Sequence, residues 1–177
     1  NGLQDVQIFR VRGFLSDHYN PANRSLNLSP DVHDSQSLSS IGVACHEAGH
    51  ALQHAENYAP LKWRSALVPI TQFSSHGAYI FILLGVFMQS MAMSQFGVIL
   101  CGVGFVFALV TLPVEWDATA RAKRLMVGDG IVQPQEAHDA GKVLDAAFLT
   151  YVAAAVSALL TLLYYALRLG LLGGRDD

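Results

Sequence analysis

The sequence predicts a mainly helical integral membrane protein with about three transmembrane helices and a small α+β part. No Asp, Glu, Lys or Arg occurs from Ser65 to Val114 or from Ala146 to Leu167. Since a membrane helix requires about 20 mostly apolar residues, the first run is long enough for two spans and the second for one. Hydrophobic residues make up 52% of the chain and charged residues 14%, a composition that is unusual for a soluble domain.

The N-terminal segment predicts a small antiparallel sheet. Val6–Arg12 alternates in character and is rich in β-branched and aromatic residues, which is typical of a strand. Phe14–Tyr19 and Ser25–Leu28 predict two more strands, and Asn20–Asn23 between them has the composition of a turn, so the two form a β-hairpin. Two roles are open for this sheet. An edge strand can hold an extended peptide by main-chain hydrogen bonds, or the sheet can be a simple covering layer.

Residues 38–55 predict an amphipathic helix. Ser35 and Ser37 are suitable N-cap residues, and the helix is expected to end near Asn57, before Pro60. The apolar residues at helical spacing are Leu38, Ile41, Cys45, Ala48, Leu52 and Ala55.

This helix carries His46-Glu47-Ala48-Gly49-His50, in which the two histidines are four residues apart. Residues i and i+4 project from one face of a helix, so both imidazoles can bind one metal ion while Glu47 approaches a water on that ion. This is the zincin arrangement, with Glu47 as general base and one Zn²⁺ held by His46, His50 and one downstream carboxylate. The alternative is a chance match on a core helix.

Three further side chains near the motif are of types that can bind a metal ion, but their positions favour that role less. His54 lies four residues beyond His50, but it drifts about 80° around the axis from His46, which favours a role in supporting a ligand or the fold. Cys45 points about 100° away from its neighbour His46, so it is not predicted to be a ligand. His18 lies on the predicted hairpin, where it either orients substrate or stabilises the turn.

The charge and cysteine content exclude other classes of function. A net charge of -3 without a concentrated basic tract argues against nucleic acid as a partner. The two cysteines do not form a disulfide framework, since one lies in the motif helix and the other, Cys101, in a predicted span.

The remaining chain predicts alternating apolar and polar helices. Residues 66–90 and 96–112 form the first two spans, separated by a polar turn at 89–95. A new helix, 114–126, begins after Pro113, and a polar helix from Pro134 leads into the third span at about 147–169. We therefore divide the chain into a catalytic part at 1–64, a transmembrane hairpin at 65–114, a third-ligand and connecting part at 115–145, and a third transmembrane helix with a loose tail at 146–177.

Glu115 and Asp117 compete for the role of third ligand. Two residues apart on a helix, they differ by about 200° in direction, so only one can face the motif helix. Glu115 shares its face with small side chains, Ala118, Thr119 and Ala122, which would allow a close approach opposite Gly49. Asp117 shares its face with Arg121 and Arg124, which gives it ion-pair partners. The pattern favours Glu115 as the ligand and Asp117 as a residue that supports the site or the fold.

These features together resemble the YugP-like membrane-bound neutral zinc metallopeptidases, a family of bacterial integral membrane proteins. The order of parts also looks like that of the HtpX-type membrane proteases, in which a glutamate from a later helix completes the zinc site. The segments that carry the resemblance are 15–19, 46–54, 58–61, 64–69, 111–115, 117–118 and 149–154. The family usually has a membrane helix ahead of the first strand, so we expect this chain to be N-terminally truncated.

The resemblance implies a zinc-dependent endopeptidase of the bacterial inner membrane that acts on a peptide or protein substrate. Two other classes stay open: a non-proteolytic zinc-binding membrane scaffold, and a transporter or assembly factor in which the motif is incidental. The presence of Glu47, which is not a ligand, argues against the scaffold. The lack of charge within the spans argues against an ion pathway.

The distribution of basic residues predicts the orientation in the membrane. Three spans place residues before 66 and residues 115–145 on one side of the bilayer. Nine of the eleven lysines and arginines lie there, against Arg168 and Arg175 on the other side. By the positive-inside rule, the catalytic face is predicted to be cytoplasmic.

Overall fold

The computed structural model describes residues 2–172 and confirms a mainly helical protein with a small three-stranded sheet. Within these residues, three helices are long and apolar enough to cross a membrane: α3, α4 and α5. Residues 173–177 of the predicted loose tail, including Arg175, lie outside the described residues. The elements in chain order are β1 Gln7–Arg10, β2 His18–Asn20, β3 Ser25–Leu28, α1 Pro30–His33, α2 Leu38–Ala55, α3 Ala59–Phe87, α4 Met91–Gly128 and α5 Pro134–Arg168.

The sheet has the strand order β1-β3-β2, and its pairing is only partly as predicted. The hairpin is confirmed, because β2 and β3 are antiparallel and the Asn20 side chain accepts a hydrogen bond from the Ala22 amide within the turn. The prediction of a wholly antiparallel sheet was wrong, since β1 runs parallel to β3. The chain crosses from β1 to the far side of β3 before it turns back, so β3 lies in the middle and has the same direction as β1.

Helix α2 has the predicted bounds, and Ser37 is its N-cap. The Ser37 hydroxyl oxygen accepts a hydrogen bond from the Ser40 amide, which satisfies one of the donors left over at a helix start. The short α1 before it was not predicted. Its start is held by Asp17, whose carboxylate accepts hydrogen bonds from both the amide and the hydroxyl of Ser29.

Helix α4 continues where the sequence predicted a break, at Pro113. Pro69 lies inside α3 and Pro113 inside α4. An interior proline removes one backbone hydrogen bond and costs about 3 kcal/mol, but flanking residues of helical propensity and packing can offset that cost. The second span and the helix that carries Glu115 are therefore one continuous helix. The predicted polar turn is also shorter than 89–95, because α4 already begins at Met91.

The chain divides into two compact units that each contain parts distant in sequence. One unit comprises Asn1–Lys62 and Pro113–Thr150, and the other comprises Trp63–Leu112 and Tyr151–Asp177. The first unit therefore contains the sheet, the motif helix and the second half of α4.

Helices α2 and α4 approach very closely within the first unit. A Cβ atom added to Gly49 would lie 2.8 Å from the carbonyl oxygen of Ala118, so only glycine fits this contact without a shift of backbone. Ala118 and Ala122 of α4 are fully buried, in agreement with the small-residue face predicted beside Glu115. This close contact brings α4 within reach of the motif side chains.

Candidate metal centre

His46 and His50 of α2 and Glu115 of α4 come together at one point in the first unit. Their potential ligand atoms all lie within 4.8 Å of one another. The Oε2 atom of Glu115 lies 3.1 Å from Nε2 of His46 and 3.7 Å from Nε2 of His50. Glu115 is 1% exposed and His50 is buried, so the three side chains form a cluster that is largely shielded from water.

The donor set and spacing of this cluster fit zinc. Zinc binds imidazole nitrogen and carboxylate oxygen at about 2.0–2.2 Å, so two ligands of one tetrahedral ion lie about 3.4 Å apart. The two nitrogen-to-oxygen distances fall on either side of that value. Two histidines and one carboxylate also leave a fourth position open, as a catalytic zinc site requires.

Two opposing effects act on the pKa of His50: burial of the ring and the negative charges near it. Burial of the ring lowers its pKa, but the negative charges of Glu115 and Glu47 and the contact with Gln53 together hold the pKa above its ordinary value. The cluster thus favours a positive charge at the point where the two imidazoles face Glu115, which is the electrostatic condition for holding a cation.

Glu47, which directly follows His46, is buried and hydrogen-bonded to the sheet, and its charge acts on His50. Its Oε2 atom accepts a hydrogen bond of 2.9 Å from the backbone amide of Tyr19 in β2. The contact engages one carboxylate oxygen and ties the edge strand to the motif helix. Because the Tyr19 amide already donates to Glu47, it is not available to an extended peptide.

Asp117 points away from the histidines, as the helical directions predicted. Its Oδ2 atom accepts hydrogen bonds from Nε of Arg121 at 2.6 Å and from Nε2 of Gln53 at 2.9 Å. Arg121 in turn pairs with Glu56 at the end of α2. Asp117 is therefore part of an ion-pair network behind the cluster.

The other predicted residues lie outside the cluster. His54 shares a hydrogen bond of 2.8 Å with the Tyr19 hydroxyl through its Nδ1 atom, and His18 contacts the carbonyl oxygen of Ser16. Both side chains therefore make hydrogen bonds in or beside β2. Cys45 packs in the core of the first unit, and burial raises the pKa of its thiol, so its environment is unlike that of a metal-bound thiolate.

Sequence reasoning missed Gln53, which is wholly buried and contacts His50. Its spacing contained a signal, since a residue three positions after His50 lies on nearly the same helix face. An uncharged side chain in that position did not stand out among the motif residues.

Comparison with known proteins places these features in a family. A sequence profile described as "Putative neutral zinc metallopeptidase" matches residues 1–170. The curated protein "Putative membrane protease YugP" from Bacillus subtilis (strain 168) is 44% identical over 177 residues, which cover all of this chain and 78% of that protein. No solved structure matches the chain. The chain therefore belongs to the family described as putative neutral zinc metallopeptidases.

Proposed function

We propose that the protein is a membrane-embedded, zinc-dependent endopeptidase in which Glu47 is the general base. The observation that carries this proposal is the convergence of His46, His50 and Glu115 within 4.8 Å. Glu47 follows His46 directly in the sequence, and its negative charge acts on His50. The family assignment and the 44% identity to a protein named as a putative membrane protease support the same reaction class.

In this proposal His46, His50 and Glu115 hold one zinc ion. Zinc, when bound, supplies Lewis-acid chemistry: it lowers the pKa of a bound water toward about 7 and polarises a carbonyl group. Glu47 takes the proton of the attacking water and later passes it to the leaving amine. The Tyr19 amide fixes one oxygen of Glu47, so the carboxylate is already oriented before a peptide enters.

The test of this proposal is reversible metal removal. Purified protein in detergent should hold about one zinc per chain and cleave an unstructured peptide. A chelator should abolish cleavage, and added zinc should restore it. Zinc content measured by atomic spectroscopy and cleavage measured by mass spectrometry check both parts. Metal-free protein that cleaves at the same rate would contradict the proposal, and zinc-loaded protein that never cleaves would favour the scaffold.

We further propose that the protein lies in the bacterial cell membrane, crosses it three times and carries the site on the cytoplasmic side. The three apolar helices support multiple crossings, and the excess of basic residues before position 66 and in 115–145 supports this orientation.

Reporter fusions test the orientation directly. A fusion after residue 130 should report the cytoplasm and a fusion after residue 92 the opposite side, because one crossing separates these positions. A periplasmic phosphatase and a cytoplasmic fluorescent protein provide complementary signals at each position. The reverse pattern would contradict the orientation, and identical signals at both positions would contradict the number of crossings.

A further inference from the structure

The Gln53 side chain links the two helices that carry the predicted metal ligands. It projects from α2, and its Nε2 atom lies 2.8 Å from the carbonyl oxygen of Val114 and 2.9 Å from Oδ2 of Asp117, both on α4. Its Oε1 atom lies 2.9 Å from Nδ1 of His50. The side chain is fully buried, so these contacts must replace the hydrogen bonds that it would make to water.

The partners on α4 determine which way the Gln53 amide faces. Val114 offers a carbonyl oxygen and Asp117 a carboxylate oxygen, and both can only accept hydrogen bonds. The NH₂ group must face them, since the opposite orientation would place three oxygens against one another in a buried site. The carbonyl oxygen of the Gln53 amide therefore faces His50.

This orientation fixes the tautomer of His50. A neutral imidazole carries its proton on one ring nitrogen, and the other accepts. Because the Gln53 oxygen can only accept, the proton of His50 must lie on Nδ1. The Nε2 atom, which faces Glu115 at 3.7 Å, then presents its lone pair to the cluster, as a metal ligand must.

We propose that Gln53 is a positioning residue for the metal centre, which holds His50 in the Nδ1-protonated tautomer and fixes its distance from Glu115. The bond to Val114 supports the second part, since Val114 directly precedes Glu115 on α4. This inference rests on the proposed zinc site and assigns a role to a residue that is neither a ligand nor a general base.

The Gln53 side chain lies between His50 and the negatively charged carboxylate of Asp117. Metal-bound histidines commonly donate to a carboxylate, a backbone carbonyl or water. Here a neutral amide takes that position, and the carboxylate of Asp117 lies one hydrogen bond further away, paired with Arg121 at 2.6 Å. The amide therefore orients His50 without placing a second anion against its ring.

The first test replaces Gln53 by methionine, which has similar length but cannot donate to α4 and has only a weakly accepting sulfur for the Nδ1–H of His50. Zinc affinity, measured by competition with a chromogenic chelator, should fall about 10- to 100-fold. The ¹⁵N spectrum of histidine-labelled, zinc-free protein at alkaline pH should show His50 shift from the Nδ1-protonated form to a mixture of tautomers. Gln135→Met, the same substitution at an exposed position of α5, is the matched control and should change neither measurement.

The second test separates hydrogen bonding from packing. Gln53→Glu keeps an acceptor for His50 but places a carboxylate against Asp117, so zinc affinity should fall. Adding Asp117→Asn should recover part of the loss, because the new amide at position 117 can donate to the new carboxylate. A residue that only fills space would not show this dependence.

Two outcomes would overturn the proposal. One is a folded Gln53→Met protein with wild-type zinc affinity and an unchanged His50 spectrum. The other is a Gln53→Glu/Asp117→Asn double variant that binds zinc no more tightly than Gln53→Glu alone. This second outcome decides the case if Gln53→Met does not fold. Failure of the zinc site itself would look different, since the wild-type protein would then bind no zinc while its His50 tautomer would still respond to Gln53→Met.

Discussion

Replacing Glu47 by glutamine is expected to abolish peptide cleavage and to leave zinc binding intact. Glutamine keeps an oxygen that can accept the hydrogen bond from Tyr19, so the local structure should persist. It cannot take a proton from water at neutral pH, and loss of general base catalysis should lower the cleavage rate about 100- to 10,000-fold. Zinc content and the cleavage rate of the same preparation measure the two effects.

Glu136→Gln is a suitable control for the Glu47 variant. It makes the same chemical change at the exposed start of α5, where Glu136 accepts a hydrogen bond from the Gln133 amide. We expect it to retain both zinc and activity. Undiminished cleavage by Glu47→Gln would exclude the proposed general base, whereas loss of zinc by that variant would mean that Glu47 also supports the metal site.

Replacing Glu115 by glutamine should remove most of the zinc. Glu115 is buried and its carboxylate faces both histidines, so a neutral amide would lose the negative charge that offsets the metal ion. We expect zinc affinity to fall by more than about 100-fold, beyond the 10- to 100-fold effect of residues that contact a ligand only indirectly. Equilibrium competition with a chelator provides the measurement.

Asp117→Asn is the matched comparison two residues along the same helix. An asparagine oxygen can still accept from Gln53, so zinc affinity should change less than about tenfold, below the range for direct orienting partners. The ion pair with Arg121 would weaken, but Arg121 would keep its pair with Glu56, so we expect a modest loss of stability. If Asp117→Asn lost zinc while Glu115→Gln retained it, the two carboxylates would have to exchange roles.

The directions of the side chains on α4, read from the sequence, were sufficient to favour Glu115 over Asp117 as the carboxylate that faces the motif helix. The 100° step of an α-helix and the size of neighbouring side chains favoured one carboxylate over the other. The same considerations did not reveal Gln53, because the importance of a buried amide depends on what surrounds it. Val114 and Asp117 lie more than 60 residues away in the sequence, and no local pattern relates them to His50.

Pro113 and the first strand differ from their sequence-based predictions for a similar reason. Pro113 predicted a boundary because proline removes one backbone hydrogen bond, yet α4 passes through it. The parallel pairing of β1 with β3 also depends on the path of the connecting chain. In both cases the element itself was identified from local sequence, but the continuation of the helix and the direction of strand pairing are not fixed by local sequence.

Features that arise within one segment could be derived from the order of residues alone: the apolar runs, the bounds of α2 and the common face of His46 and His50. They follow from helical periodicity and side-chain polarity over a few turns. Contacts between distant segments depend instead on how the helices pack, as for His46 and Glu115, which are 69 residues apart. Helix α4 reaches the motif because Gly49 has no side chain and lets the Ala118 backbone approach.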